Sequence, residues 1–215
     1  MNEVNTFFES GNSGDVYVNY ENATIEKMVA YRSASTEIQN LKDLQGLYGI
    51  PEYLCTNKYS GVHFKGKYNQ GIFDRTSNKF IKYGKAIGIC MQYVGKYTLD
   101  NYTMLDSSNL MKIVFNACYI AYKMWITYNI NHGDLHRCNV VFDICKPFQK
   151  TYYIGQYKYV LRNQIYKVYL VDFDSCDHIN EMHDIEKLCS YFSNFKTNGM
   201  NIETFFKKNF TEFIQ

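Results

Sequence analysis

Residues 132–139 read HGDLHRCN, and residues 172–174, which follow the apolar run VYLV, read DFD. Asp134 and Asn139 are five positions apart on one polar loop, and Asp172 supplies a second carboxylate. Such oxygen groups suit Mg²⁺, which binds through one or two carboxylates together with substrate phosphates. The pattern therefore predicts a site for metal and phosphate. In it, Asn139 and Asp172 hold the metal, and Asp134 accepts or orients the proton of an attacking hydroxyl.

Helical and strand-like patterns surround these loops. Asp106 begins an N-cap signal, and apolar residues at helical spacing predict a long core helix over about 109–128. A second helical pattern covers 184–195. The runs VVF and VYLV predict strands, and the tyrosine-rich stretch 152–169 predicts an extended hairpin.

The first part of the chain has the composition of antiparallel strands. The runs FFES, DVYVNY and TIEKMVAYR are separated by turn-forming residues at 11–14 and 21–22, which predicts hairpins. A short amphipathic helix is expected from Ser35 to Gly46, and alternation over 59–95 predicts further strands. The order is mostly strand and then mostly helix, which indicates the α+β class.

The composition favours a globular protein and excludes several classes of function. The chain has 215 residues, of which 46% are hydrophobic, so it has enough apolar residues for a packed core. The net charge of +2 is too balanced for the broad basic face that binds nucleic acid, so no specific nucleic-acid partner is expected. Seven cysteines without a C-x-x-C pair argue against a disulfide framework and against a zinc cluster.

The sequence carries no sign of a membrane or of export. No apolar run approaches the roughly 20 residues of a membrane-spanning helix, and the first residues lack the basic and apolar regions of a signal peptide. We therefore expect no membrane partner and a cytoplasmic location. The abundance of tyrosine, phenylalanine, asparagine and lysine is typical of an A/T-rich genome, such as that of a large DNA virus or a parasite, and for a virus the location is the host cytoplasm.

The motif H-G-D-L-H-x-x-N followed by V-D-F-D resembles the catalytic loop and the metal-binding motif of the protein-kinase-like superfamily. This resemblance implies a phosphotransferase that uses ATP with Mg²⁺ or Mn²⁺. It implies catalytic roles for Asp134 and Asn139. It also implies that Asn139 and Asp172 bind metal, with a second metal oxygen from Asp174.

A further resemblance lies near the N-terminus. Residues 11–17, GNSGDVY, are similar to the later part of the kinase glycine-rich loop, whose backbone amides approach the ATP phosphates. Glu9 stands where that pattern has its first glycine. The resemblance implies that ATP is contacted by Gly11, Ser13, Gly14 and Val16.

The ATP-binding lysine and its acidic partner are expected on the next two elements. The segment 37–51 is similar in spacing to helix C and the following loop of casein kinase I relatives, which makes Glu37 the partner of the lysine. Lys27 is the preferred lysine, because the strand register places it opposite Val16. Arg32 fits the usual V-A-I-K string better by letter, but only five positions separate it from Glu37, so it is the alternative.

The hinge and two loop positions follow from the same resemblance. CMQYVG at 90–95 looks like the kinase hinge. It implies that adenine is contacted by Met91, the gatekeeper, and by the backbone of Gln92, Tyr93 and Val94. His132 is expected to be a structural residue of the catalytic loop, and Asp184 to match the helix F aspartate that braces that loop.

The chain departs from a standard kinase in its second half. No A-P-E motif follows Asp172, and the segment 172–184 leaves little room for an activation loop. His136 stands where serine/threonine kinases usually carry a lysine that contacts the γ-phosphate. We therefore predict an α+β, protein-kinase-like fold with two lobes. The first is an antiparallel-sheet N-lobe over 1–93, and the second is a truncated, mainly helical C-lobe over 94–215.

These resemblances predict a serine/threonine protein kinase, which transfers the ATP γ-phosphate to a hydroxyl of a protein substrate. Two alternatives stay open: a small-molecule kinase, which HGDLH and DFD also resemble, and a pseudokinase that acts by binding a partner protein. A protein partner could also complete the truncated C-lobe. The C-terminal apolar residues that would dock it, or else fill the chain's own core, are Phe205, Phe206, Phe210 and Phe213.

Overall fold

The structure is a computed structural model of the chain, and it divides into two compact units. The first comprises Met1–Gly46 and Pro51–Tyr93, and the second comprises Leu47–Ile50 and Val94–Gln215. The predicted α+β class is confirmed, since an antiparallel sheet forms the first part and most helices come later. The structure describes residues 6–11, 13–74, 76–100, 105–178, 183–195, 197 and 200–215.

The first unit is built on antiparallel strands. Its elements are β1 (Thr6–Ser10), β2 (Gly14–Asn19), β3 (Thr24–Ala30), α1 (Ala34–Asp43), β4 (Tyr53–His63), β5 (Ile72–Asp74), β6 (Lys79–Ile81) and β7 (Tyr83–Gln92). Five strands form a sheet in the order β1-β2-β3-β7-β4, and β5 pairs with β6. The Asn19 side chain accepts hydrogen bonds from the amides of Glu21 and Asn22, at 3.1 and 3.2 Å, which stabilises the turn between β2 and β3.

The second unit is organised around one long helix. Its elements are β8 (Tyr97–Thr98), α2 (Ser107–Tyr128), β9 (Val140–Ile154), β10 (Tyr157–Leu170), α3 (Asp184–Cys189) and α4 (Ile202–Asn209). The predicted N-cap is confirmed, since the Asp106 carboxylate accepts a hydrogen bond from the amide of Asn109 at the start of α2. Asn129 ends this helix in the left-handed conformation, with φ 54°. None of the helices in the described ranges has the length and apolarity needed to cross a membrane.

Strands β9 and β10 form one long hairpin, which begins twelve residues before the stretch 152–169 for which a hairpin was predicted and turns after Ile154. The hairpin also includes the runs VVF and VYLV, because β9 begins with the first and β10 ends within the second. Val140 lies opposite Leu170. In an antiparallel pair, the residues just before one strand and just after the other meet at the same end. The catalytic-loop motif and the DFD motif therefore lie at one end of this hairpin.

Helix α3 ends at Cys189, six residues before the end of the predicted pattern. The Ser190 hydroxyl donates a hydrogen bond to the carbonyl of Lys187, at 2.7 Å. The amides of Tyr191 and Phe192 donate to carbonyls three residues back. Backbone bonds of this kind tighten the last turn of a helix. The Ser190 hydroxyl also occupies a carbonyl that would otherwise accept the next helical hydrogen bond, so it opposes extension of α3.

The C-terminal phenylalanines fill the core of the second unit. The rings of Phe206, Phe210 and Phe213 lie 5.4, 5.0 and 5.7 Å from that of Phe115 on α2. These three and Phe205 are at most 8% exposed. These four side chains therefore pack within the chain's own core, which is the second of the two predicted uses.

Candidate active site

Lys27 and Glu37 form a buried ion pair in the first unit. Lys27 lies on β3 directly opposite Val16 of β2, as the sequence predicts. Its Nζ lies 2.9 and 2.8 Å from the two carboxylate oxygens of Glu37 on α1, and the two residues are 8% and 1% exposed. Arg32 lies in the exposed turn between β3 and α1. Since a buried charge needs a partner of opposite sign, this pair fixes the ammonium group on the sheet.

Val16, Lys27 and Met91 lie on one face of the first sheet. Met91 of β7 is opposite Ile25, which is two residues from Lys27 on β3. Residues that face each other in an antiparallel pair, and residues two apart on one strand, point to the same side. Three of the predicted ATP-contacting side chains therefore share a face.

The glycine-rich turn is closed by its own backbone. The amide of Gly11 donates a hydrogen bond to the carbonyl of Gly14, at 2.8 Å. Ser13 is partly buried, and Asn12 lies outside the described residues. A Cβ atom at Gly14 would lie 2.9 Å from the carbonyl oxygen of Met28, so close approach of β3 requires glycine there. The predicted phosphate contact of the Gly11 amide is not open in this conformation.

Asp15, which sequence reasoning missed, anchors this turn. Its buried carboxylate accepts hydrogen bonds from the amides of Lys65 and Gly66, at 2.7 and 2.8 Å, and from the hydroxyl of Ser10, at 2.7 Å. Hydrogen bonds to a carboxylate are about twice as strong as neutral ones. The segment after β4 therefore holds the β1–β2 hairpin, although fifty positions of sequence separate Asp15 from Lys65.

Asp74 holds the start of α1. Its carboxylate accepts hydrogen bonds from the hydroxyls of Ser33, at 2.8 Å, and Ser77, at 2.7 Å. Burial raises the pKa of Asp74, but the hydrogen bonds from Ser77 and Ser33 outweigh it and lower that pKa overall. Because Ser33 immediately precedes α1, this contact fixes the end of the helix that carries Glu37.

The predicted hinge has two of its three amides in use. The amide of Gln92 donates to the carbonyl of Glu52, and the amide of Tyr93 donates to the carbonyl of Ala23, both at 2.9 Å. In the described part of the chain, the amide of Val94 has no such backbone partner. Of the three predicted hinge residues, Val94 is thus the one whose N–H remains for a ligand.

The predicted catalytic loop, residues 132–139, and the DFD motif are joined by hydrogen bonds in the second unit. The amide of Val171 donates to the carbonyl of Asn139, at 3.1 Å. The ring Nε2 of His132 lies 2.8 Å from the carbonyl oxygen of Val171, and since a carbonyl only accepts, Nε2 carries the proton. His132 is fully buried. These bonds place Asp172, the next residue, beside the loop that carries Asp134.

Asn139 and Asp172 present oxygen groups at this place. The side-chain amide of Asn139 donates to the backbone carbonyl of Asp134, at 3.0 Å, which leaves its oxygen for another partner. Asp172 has φ 70°, a strained conformation for a residue with a side chain. Asp174 accepts a hydrogen bond from Ser175, at 2.9 Å. This donor set fits Mg²⁺.

The described residues of this region form no preassembled metal cluster. Within the described residues, no group of three or more histidine, cysteine or acidic side chains is placed to hold an ion. Mg²⁺ usually keeps several waters and takes substrate phosphates as ligands, so one or two carboxylates and an amide are an ordinary protein contribution.

Asp184 of α3 braces the catalytic loop, as the resemblance implies. Its two carboxylate oxygens accept hydrogen bonds from the backbone amides of His132 and Gly133. Burial raises the pKa of Asp184, and His132 and the two amide bonds lower it in part. A carboxylate with two backbone donors fixes the path of the loop just before Asp134.

Asp134 itself is paired with a lysine that sequence reasoning missed. The Nζ of Lys187 on α3 lies 2.6 Å from Oδ1 of Asp134, and Nε2 of His136 lies 3.6 Å from Oδ2. The Asp134 side chain is 45% exposed. The pattern of 184–195 indicated a helix, but it gave no sign that Lys187 would face a loop some fifty positions earlier.

No protein-family model matches the sequence, and no curated protein matches it. Among solved structures, the chain is similar to the kinase PK-1 of the Cydia pomonella granulovirus, with a TM-score of 0.49 and 14% identity. The match covers 81% of this chain and 53% of that one, so the chain spans about half the length of that protein. The casein kinase I-like features of the α1 region have no support in it.

Proposed function

We propose that this protein is an ATP-dependent phosphotransferase of the protein-kinase-like type. The observation that carries the proposal is the end of the β9–β10 hairpin, where hydrogen bonds join the loop of Asp134 and Asn139 to the strand end that leads to Asp172. Carboxylate and amide oxygens are what phosphoryl transfer needs to hold a metal and orient an acceptor hydroxyl. The buried pair of Lys27 and Glu37 supplies a fixed cation for phosphate.

Each residue has a separate part in the reaction. Lys27 binds the ATP phosphates, and Glu37 keeps it in position. Asn139 and Asp172 would hold Mg²⁺ or Mn²⁺, which would neutralise charge on the transferred phosphoryl group. Asp134 orients the acceptor hydroxyl and takes its proton as the oxygen attacks the γ-phosphorus, while the bond to the β–γ bridging oxygen breaks and ADP leaves.

Adenine binding is assigned to the sheet face of the first unit and to the hinge. Val16 and Met91 offer apolar surface on the face that carries Lys27. An acceptor nitrogen of adenine needs an N–H donor, and the amides of Gln92 and Tyr93 are already bonded. The donor is therefore the amide of Val94.

The acceptor that we propose is a serine or threonine of a protein, following the resemblance of the motifs. The small-molecule alternative rests on HGDLH and on Asp174, which would add a second metal oxygen. A different candidate function, binding of a partner protein without phosphoryl transfer, is favoured by the occupied amide of Gly11.

The test is incubation of the purified protein with γ-labelled ATP, Mg²⁺ or Mn²⁺, and a protein mixture. We expect label on serine or threonine after hydrolysis of the labelled proteins. Label on added aminoglycoside or choline alone would support the small-molecule alternative. Nucleotide binding without any transfer would contradict the proposal and support the binding module.

A further inference from the structure

The contact between Lys187 and Asp134 joins a helix to the catalytic loop. The two charged atoms are 2.6 Å apart, and the same ammonium group lies 3.4 Å from the carbonyl oxygen of Gly133. In the described part of the chain, Lys187 is the lysine or arginine paired with Asp134. A lysine ammonium has three N–H donors, so it can hold Asp134 and still donate to another oxygen.

His136 is engaged by its own loop. Its Nδ1 accepts a hydrogen bond from the amide of Cys138, at 3.2 Å. Its Nε2 is 3.6 Å from Asp134, beyond hydrogen-bond distance. The ammonium group that contacts Asp134 at 2.6 Å therefore comes from α3 and not from the position where serine/threonine kinases carry a lysine.

Helix α3 presents two charged groups to the loop from one face. Asp184 and Lys187 are three positions apart, which places them on the same side of a helix. Asp184 holds the loop backbone, and Lys187 holds the side chain of Asp134. Ile185 and Leu188, both buried, anchor the helix in the unit. The ammonium group is thus positioned by packing as well as by its partner.

Stability alone gives little reason for this ion pair. The side chains of Lys187 and Asp134 are 39% and 45% exposed. Ion pairs with this exposure contribute about 0–1 kcal/mol to folding, because water and salt screen them. The same cation has a larger effect on phosphoryl transfer than on folding. It lies beside Asp134, the group that contacts the acceptor hydroxyl, and charge develops on the phosphoryl oxygens during the reaction.

We infer that Lys187 replaces the missing catalytic-loop lysine. It holds the Asp134 carboxylate in orientation and donates a hydrogen bond to an oxygen of the transferred γ-phosphoryl group. The inference rests on the proposed function, since it assigns Lys187 to the same reaction. It makes α3, and not the loop itself, the source of the cation.

The experiment compares Lys187→Ala with the wild type and with Lys208→Ala, which removes an exposed lysine of α4 in the same unit. Turnover by Lys187→Ala should fall on the order of 100-fold, the effect of removing one donor to a developing charge, while its melting temperature stays close to that of the wild type. Lys208→Ala should keep wild-type turnover. Adding His136→Lys to Lys187→Ala should restore much of the lost rate, because it returns the lysine to the loop.

A second readout does not depend on turnover. Lys187→Ala should lose affinity for ATP·Mg²⁺ but keep its affinity for ADP·Mg²⁺, which has no γ-phosphate. If Lys187→Ala keeps wild-type turnover and an unchanged preference for ATP over ADP, the inference is overturned and the proposed function stands. A wild type that transfers no phosphate, but whose preference for ATP over ADP depends on Lys187, would overturn the proposed function and support only the contact between Lys187 and the γ-phosphate. Absence of nucleotide binding by the wild type would overturn both.

Discussion

Lys27 lies opposite Val16 in the β2–β3 hairpin and reaches across to Glu37, both of whose carboxylate oxygens are within 2.9 Å of its Nζ. Ser33, at the start of the same helix, is held by Asp74. We therefore expect a phosphate-binding cation that needs no rearrangement of α1 to reach its position.

Nucleotide binding should depend on Lys27 and not on Arg32. ATP·Mg²⁺ at about 100 times its dissociation constant stabilises a protein by about 2.7 kcal/mol, which is measured as a rise in melting temperature. Lys27→Met should lose most of this rise, whereas Arg32→Met should keep it. The rise is compared within each variant, because Lys27→Met also removes the buried cation beside Glu37 and lowers the starting stability. The opposite pattern would assign the nucleotide to Arg32.

The Asp74 contact should stabilise the protein in a pH-dependent way. The pKa of Asp74 is lowered in the folded state, so its contribution is present above the unfolded pKa, near 3.9, and is lost as the pH falls through the lowered value. Asp74→Asn should lower the free energy of unfolding by about 1–3 kcal/mol at pH 7. Urea unfolding should show this difference shrinking below about pH 4.

Asp43→Asn is the matched control for that experiment. Asp43 lies at the other end of α1, is exposed, and has a hydrogen bond with Gln39. Asp43→Asn should change the free energy of unfolding by less than about 0.5 kcal/mol at every pH. Equal effects of the two variants would show that Asp74 does not hold the start of α1.

The thermal stability of the protein should depend on how many hydrogen-bond acceptors residue 184 offers to the catalytic loop. Asp184→Asn keeps one oxygen for the amides of His132 and Gly133, and Asp184→Ala keeps none. A buried donor without a partner costs about 1–3 kcal/mol. Thermal unfolding should therefore rank the wild type above Asp184→Asn and Asp184→Ala last. Wild-type stability of Asp184→Ala would contradict the bracing role.

Local patterns predicted the strand register and the long helix. The turn-forming residues between β2 and β3 set the register that places Lys27 opposite Val16. Asp106 marks the start of α2. The hairpin extent was harder to predict, because the paired runs around Val140 and Leu170 lie far apart in the sequence. Periodicity does not report which distant strands pair.

Most of the contacts that hold the candidate site could not be predicted from the sequence. Asp15 accepts hydrogen bonds from the backbone amides of Lys65 and Gly66. Because almost every residue has a backbone amide, the sequence does not indicate which amides will donate to a given carboxylate. Lys187 meets Asp134 across more than fifty positions, and nothing in its neighbours distinguishes it from a solvated lysine. Such contacts depend on tertiary packing, which a single sequence does not specify locally.

Activity should not depend on phosphorylation of the segment after Asp172. Ser175 is the sole hydroxyl residue between 172 and 184, and the chain has four arginines in all, too few for a cluster that reorders a phosphorylated loop. Phosphatase treatment of bacterially produced protein should leave its phosphotransfer rate unchanged. A large fall in rate, with loss of phosphate mapped to Ser175 by mass spectrometry, would show that a short switch exists.

The separate roles of Asp134 and Asp172 are tested by the turnover of Asp134→Asn at saturating ATP·Mg²⁺, measured together with the nucleotide affinities of Asp134→Asn and Asp172→Asn. Removal of the group that takes the acceptor proton should lower turnover by about 100-fold or more while ATP·Mg²⁺ affinity stays within about twofold of the wild type. Asp172→Asn should instead weaken metal-dependent nucleotide binding. Wild-type turnover by Asp134→Asn, or equal loss of ATP affinity in both variants, would contradict the assignment of acceptor and metal roles.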